Sequence, residues 1–142
     1  MSFVTRYVGI PYADRGHGFD GCNCWGLVHL VLKEEAGIVT PVDEEISARD
    51  ALRVARVFRD ATATEVWREV PRERVRPFDC VLMRSLTEAG SRVENHVGIV
   101  VPVSAGLNVL HVWQATAACL MPFDHLRIRN RIARFYRHRD LE

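Results

Sequence analysis

The stretch Gly21-Cys22-Asn23-Cys24-Trp25-Gly26-Leu27-Val28-His29-Leu30-Val31-Leu32, continued by Lys33-Glu34-Glu35-Ala36-Gly37, decides how the rest of the chain is read. Leu27, Val28, Leu30, Val31 and Leu32 place apolar side chains on most sides of a helix, so that helix belongs in the middle of a fold. Charged residues then close the run, and Gly37 supplies the usual left-handed cap. The expected helix runs from Cys24 to Ala36. Upstream, Phe3 to Gly21 is rich in Gly, Pro and Asp and reads as irregular, tightly turning backbone.

Downstream, a second helix is expected to begin near Ser47. Ala51, Leu52, Val54, Ala55 and Phe58 stand at helical spacing there, with arginines between them. Thr62 to Val70 reads either as a short helix or as a loop with a strand-like end. Pro71 and Pro77 bracket a polar connector. Strand character follows in Cys80-Val81-Leu82-Met83, in Asn95 to Val103 and in Asn108 to Trp113, with a turn at Ser104 to Leu107 between the last two. Ile128 to Tyr136 reads as a final strand. Helices first and an antiparallel meander after them is the α+β pattern, with the N-terminal helices packed on a C-terminal antiparallel sheet.

With 142 residues, 48% of them hydrophobic and 26% charged, the chain suits one globular domain spanning 1–142. A formal net charge of +1 argues against a general nucleic-acid binder. No apolar run is long enough to span a membrane, so no membrane insertion is expected. The N-terminus shows no secretory pattern, which leads us to expect synthesis and first folding in a reducing cytoplasm. The basic stretch from Arg127 to Arg139 reads as a solvated strand face, or else as a weak attraction for an anionic polymer.

Four cysteines, Cys22, Cys24, Cys80 and Cys119, make no disulfide framework in a chain of this length. Cys22-x-Cys24 lacks the usual zinc-ligand interval and no second tight pair follows, so neither a metal nor another cofactor is expected. Cys24, however, falls in the first turn of the buried helix, where free N–H groups and the helix dipole favour a thiolate. His96 and His111 sit on neighbouring expected strands. If those strands pair, one imidazole can face the cysteine while the other orients it: a nucleophile, a base and an orienting group. A plain core cysteine and structural histidines are the competing reading of the same residues.

Five motifs, taken in order, tip that balance: Gly9-Ile10-Pro11-Tyr12, Gly18 to Val28, Pro77-Phe78-Asp79-Cys80-Val81-Leu82, His96-Val97-Gly98-Ile99, and Val109-Leu110-His111-Val112. Together they resemble the NlpC/p60 family of cell-wall cysteine peptidases from residue 9 to 112. The resemblance implies a papain-like α+β fold and a Cys24, His96, His111 triad. It also implies that Tyr12 lies beside the nucleophile, helping to hold an oxyanion or position substrate. The substrate it implies is the stem peptide of peptidoglycan, cut at the bond between D-glutamate and diaminopimelate.

Three positions depart from the family pattern. Asn23 stands for the usual Asp, Trp25 for the usual Ser, and Phe78 for a glycine. Cys22 with Cys24-Trp25-Gly26-Leu27-Val28 is similar to the bacteriophage-tail branch. That branch implies tail-tip proteins as partners and a place in the virion tail; a mainly structural tail component is the alternative. Trp25 is expected at the cleft wall, whereas Trp67 and Trp113 are expected to pack the core. His17 is expected in a solvent-exposed loop and His29 within the core, with His125 and His138 at the surface. Gln114 is expected past the triad.

Overall fold

The computed structural model describes residues 2–84, 93–104 and 106–141. The central helix forms where its sequence dictates. Helix α1 spans Cys24–Ala36 and ends at Gly37 in the left-handed region, φ 68°. At its start Asn23 is the N-cap, with the side-chain oxygen accepting the Gly26 N–H at 2.6 Å. The same amide donates through Nδ2 to the Asp14 carbonyl at 2.9 Å. Both ends of the amide are used, and an aspartate there would lose the second bond.

Ahead of α1 the chain makes a 3-10 turn at Phe3–Arg6 and a small antiparallel pair, β1 (His17–Gly18) with β2 (Gly21–Cys22). Tyr7 and Arg6 tie that segment to the far end of α1 through Glu35, at 2.5 and 2.8 Å. Gly26 lets α1 press against this loop, because a Cβ there would fall 2.0 Å from the Gly16 carbonyl oxygen.

Helix α2 spans Ala51–Thr62 and is capped by Asp50, starting later than the expected Ser47. Ser47 is diverted: its hydroxyl donates to Asp14 at 3.0 Å and accepts the Arg49 N–H at 3.2 Å, which makes a turn. Only Val54 and Phe58 of α2 are buried, and Leu52 faces solvent. The open choice over 62–70 resolves to a loop and then β3, Trp67–Val70.

The remaining strands are β4 (Cys80–Met83), β5 (His96–Val103), β6 (Gly106–His111), β7 (Cys119–Pro122) and β8 (Ile132–His138). They form one antiparallel six-stranded sheet in the order β3-β8-β4-β5-β6-β7. Strand β6 begins at Gly106, earlier than the expected Asn108, and Ala105 of the expected turn lies outside the described residues. Strand β8 begins at Ile132, because residues 124–131 make turns, and β7, which pairs with β6 at the sheet edge, was not anticipated. His138, expected at the surface, is buried at the end of β8 with its ring edge-on to Trp67.

Alternation along each strand divides the core in two. Cys80, Leu82, Val97, Ile99, Val101 and Leu110 face α1 and α2, whereas Val81, Met83, Val100, Val109 and Phe135 pack behind the sheet under Ile128. The α+β architecture read from the sequence is the one observed. Where β4 and β8 meet, the buried Asp79 takes two 2.8 Å bonds from Arg137. A buried pair of this kind is costly to break from one side.

Phe78 precedes Asp79 with φ 76°, in the left-handed region that favours glycine. The ring is retained there by stacking on Phe3, with centroids 5.6 Å apart.

Candidate active site

Each functional side chain is placed by an element end. Cys24 is the first residue of α1, so its sulfur sits at the helix N-terminus. His96 opens β5 and His111 closes β6, two strands paired antiparallel. Their rings meet with His96 Nε2 and His111 Nδ1 2.9 Å apart. Gly98 packs beside this pair. A Cβ at 98 would lie 2.5 Å from Val109 Cγ1 and 3.1 Å from His111 Cβ, so a glycine relieves the packing of β5 on this part of β6.

Cys24, His96 and Tyr12 line a single cavity of about 490 Å³. Both Cys24 and His96 are buried. His111 is fully buried behind His96, and its Nε2 has no hydrogen-bond partner among the described residues. Because His111 occupies Nε2 of His96, only Nδ1 of His96 remains to exchange a proton with a reacting group.

Burial controls the electrostatics. It pushes the Cys24 thiol up to about 11, against the opposing pull of the N–H groups of Val97, Trp25 and Cys24 itself. This reverses the sequence expectation of a helix-stabilised thiolate: desolvation of the sulfur outweighs the helix terminus. Burial, and then the neighbouring His111, hold His96 well below the ordinary histidine range. His111 is lowered to about 4, first by burial and then by His125. At neutral pH the pair therefore rests as a thiol and neutral imidazoles.

Tyr12 is half-buried, and its hydroxyl donates to Asp14 at 3.2 Å. Burial, followed by the charge of Asp14, raises its pKa. Asp14 also accepts from Ser47 and from the Ala48 N–H, both at 3.0 Å. These bonds outweigh its own desolvation and keep its pKa low.

Trp25 does not line the cavity that holds His96. It lines a larger cavity of about 940 Å³ on the other side of Cys24, packs near Phe58 and Trp67, and donates to the Pro41 carbonyl at 2.9 Å. The tryptophan at the histidines is Trp113, which packs against the core behind the sheet as expected and also reaches both imidazoles. Its ring lies 6.0 Å from His96 with 25° between planes, and 4.5 Å from His111, edge-on. The available signal was spacing, since residue 113 follows 111 by two, although β6 itself ends at His111. Gln114 also lines this cavity. His17 pairs with Glu44 at 2.5 Å, and His29 is buried with its Nδ1 3.0 Å from the Thr40 hydroxyl. Among the described residues no three His, Cys, Asp or Glu side chains gather as a metal site.

Fold and geometry together define a class: an α+β domain holding a thiol at the N-terminus of its central helix and a histidine pair on the adjoining sheet. No family model and no curated protein matches the chain. Among solved structures, it is similar to a Staphylococcus aureus protein described as similar to lipoprotein, NLP/P60 family, with a TM-score of 0.61 and 21% identity. The match covers 95% of this chain and 38% of that one, so the present chain spans well under half the neighbour's length.

Proposed function

We propose that this chain is a cysteine peptidase of the NlpC/p60 type that hydrolyses an amide in the stem peptide of peptidoglycan. The observation that carries the reading is the 2.9 Å pairing of His96 with His111 beside the cavity that Cys24 lines. A buried core cysteine with structural histidines would not require that pairing.

In this reading the Cys24 thiol passes its proton to Nδ1 of His96 as the sulfur attacks the substrate carbonyl. His111 accepts the Nε2–H of His96 and holds the ring, and the imidazolium forms only during attack. The Cys24 N–H faces the developing oxyanion. Tyr12 gives its one proton to Asp14, so its part is to shape and position. Collapse breaks the C–N bond, and the amine leaves with the proton from His96. Water then attacks the thioester, His96 takes its proton, and the sulfur leaves as a thiol.

The bond assigned is that between D-glutamate and diaminopimelate, and the setting assigned is a bacteriophage tail tip, assembled in the cytoplasm and delivered to the host wall. Both rest on motif resemblance, the setting on Cys22 and Trp25 around the nucleophile. The test is digestion of purified peptidoglycan by wild type and Cys24→Ala, with products read by mass spectrometry. Stem-peptide fragments from wild type alone are expected. Intact peptidoglycan with both folded proteins would refute the peptidase and leave a structural tail role.

A further inference from the structure

Cys24 stands between two cavities of opposite charge. The one shared with His96 is lined by Arg49, Arg127 and Arg131 and by no described aspartate or glutamate. The larger one on the Trp25 side is lined by Asp43, Glu44 and Glu45 and by no lysine or arginine. The arginines come from separate parts of the chain, the turn before α2 and the turns before β8, so the fold gathers them.

Their placement follows the reacting groups. The Arg127 guanidinium lies 5.5 Å from the centroid of Trp113, and Trp113 stacks on His96. Arg49 acts electrostatically on the Tyr12 hydroxyl, which in turn feels Cys24. Arg127 and Arg131 belong to the basic stretch read from sequence as a strand face; they lie instead in turns that border the cleft.

Chemistry fixes which half of a substrate enters this cavity. The departing amine must take its proton from His96, so the leaving half lies on the His96 side of the sulfur. We propose that Arg49 and Arg127 select substrates whose leaving half carries a carboxylate, held by charge-assisted guanidinium hydrogen bonds. This rests on the peptidase reading for the direction of the substrate, and it goes beyond that reading in naming the specificity residues.

The test uses a γ-D-glutamyl-diaminopimelate peptide with free leaving-side carboxylates, and the same peptide with them amidated. Binding to Cys24→Ala is measured by calorimetry, alone and combined with Arg49→Gln or Arg127→Gln, and cleavage is measured with wild type. Amidation is expected to weaken binding about tenfold or more, as loss of charge-assisted bonds does. Either arginine substitution is expected to shrink that penalty. Equal binding of the two peptides, a penalty unchanged in both variants, or no binding of either would overturn the assignment. A binding preference without cleavage would remove the peptidase reading and keep the carboxylate site. Cleavage of both peptides at one rate would keep the peptidase and remove the site.

Discussion

Gly98→Ala is the substitution whose effect follows most directly from the packing around His111. The added Cβ would stand 2.5 Å from Val109 Cγ1, and 3.1 Å from both His111 Cβ and the Leu110 carbonyl oxygen. Carbon atoms in contact prefer about 3.5–4.0 Å, so the first of these overlaps and must move something. Overpacking of this kind costs about 1–3 kcal/mol. Val109→Ala removes the offending methyl and costs about 2 kcal/mol through lost burial and the cavity left behind. In the double variant the overlap is gone. Its destabilisation is therefore expected to fall short of the summed singles by about 1 kcal/mol or more. Urea unfolding of the four proteins measures this. Additivity within about 0.5 kcal/mol would refute the claim that Gly98 is required by the Val109 side chain.

Three further outcomes are expected. Because burial puts the Cys24 thiol at about 11, its alkylation by iodoacetamide should rise about tenfold per pH unit from pH 7 to 10, and a plateau below pH 9 would contradict the neutral-thiol resting state. His111, lowered to about 4 in the folded protein, stays neutral there while the unfolded chain takes up a proton below about 6.5, so stability is intact above that pH and falls as pH drops towards 4. The share due to His111 is about 3 kcal/mol by pH 4, and denaturant unfolding across this range should show a smaller loss in His111→Asn. At Phe78, with φ 76°, Gly and Ala variants both lose the ring that stacks on Phe3, so they differ in backbone strain alone; Phe78→Gly should be the more stable by about 1 kcal/mol, and equal midpoints would argue against a left-handed residue there.

Much of the architecture was legible because local and global signals agree along the chain. Helix α1 was bounded correctly at both ends, since Asn23 and Gly37 are strong caps around an uninterrupted apolar run. Two runs joined by a short turn made the pairing of β5 with β6 the natural condition for His96 to meet His111, and that pairing is observed. Other features depended on contacts between distant residues. Ser47 looks like a helix start, but Asp14, 33 residues away in sequence, takes its hydroxyl. Strand β7 is short and half-exposed, with little pattern of its own. Asn23 stood out as a departure from the usual Asp and proved to be a cap that also ties down the Asp14 backbone. The Cys24 thiol read as activated because a helix N-terminus is visible in sequence, whereas the depth of the sulfur is not. Phe78 had been noted as standing for a glycine, and its positive φ supplies the physical reason that glycine suits the position.

The central claim is that Cys24 itself bonds covalently to the substrate. Wild-type protein should be mixed with the γ-D-glutamyl-diaminopimelate peptide, quenched in acid within the first turnovers, digested, and read by mass spectrometry. The account predicts an added mass equal to the acyl half on the fragment containing Cys24. That adduct should accumulate less in His96→Ala and be absent in Cys24→Ala. Peptide cleavage by Cys24→Ala at the wild-type rate, or an adduct on Cys22, Cys80 or Cys119 in its place, would contradict it.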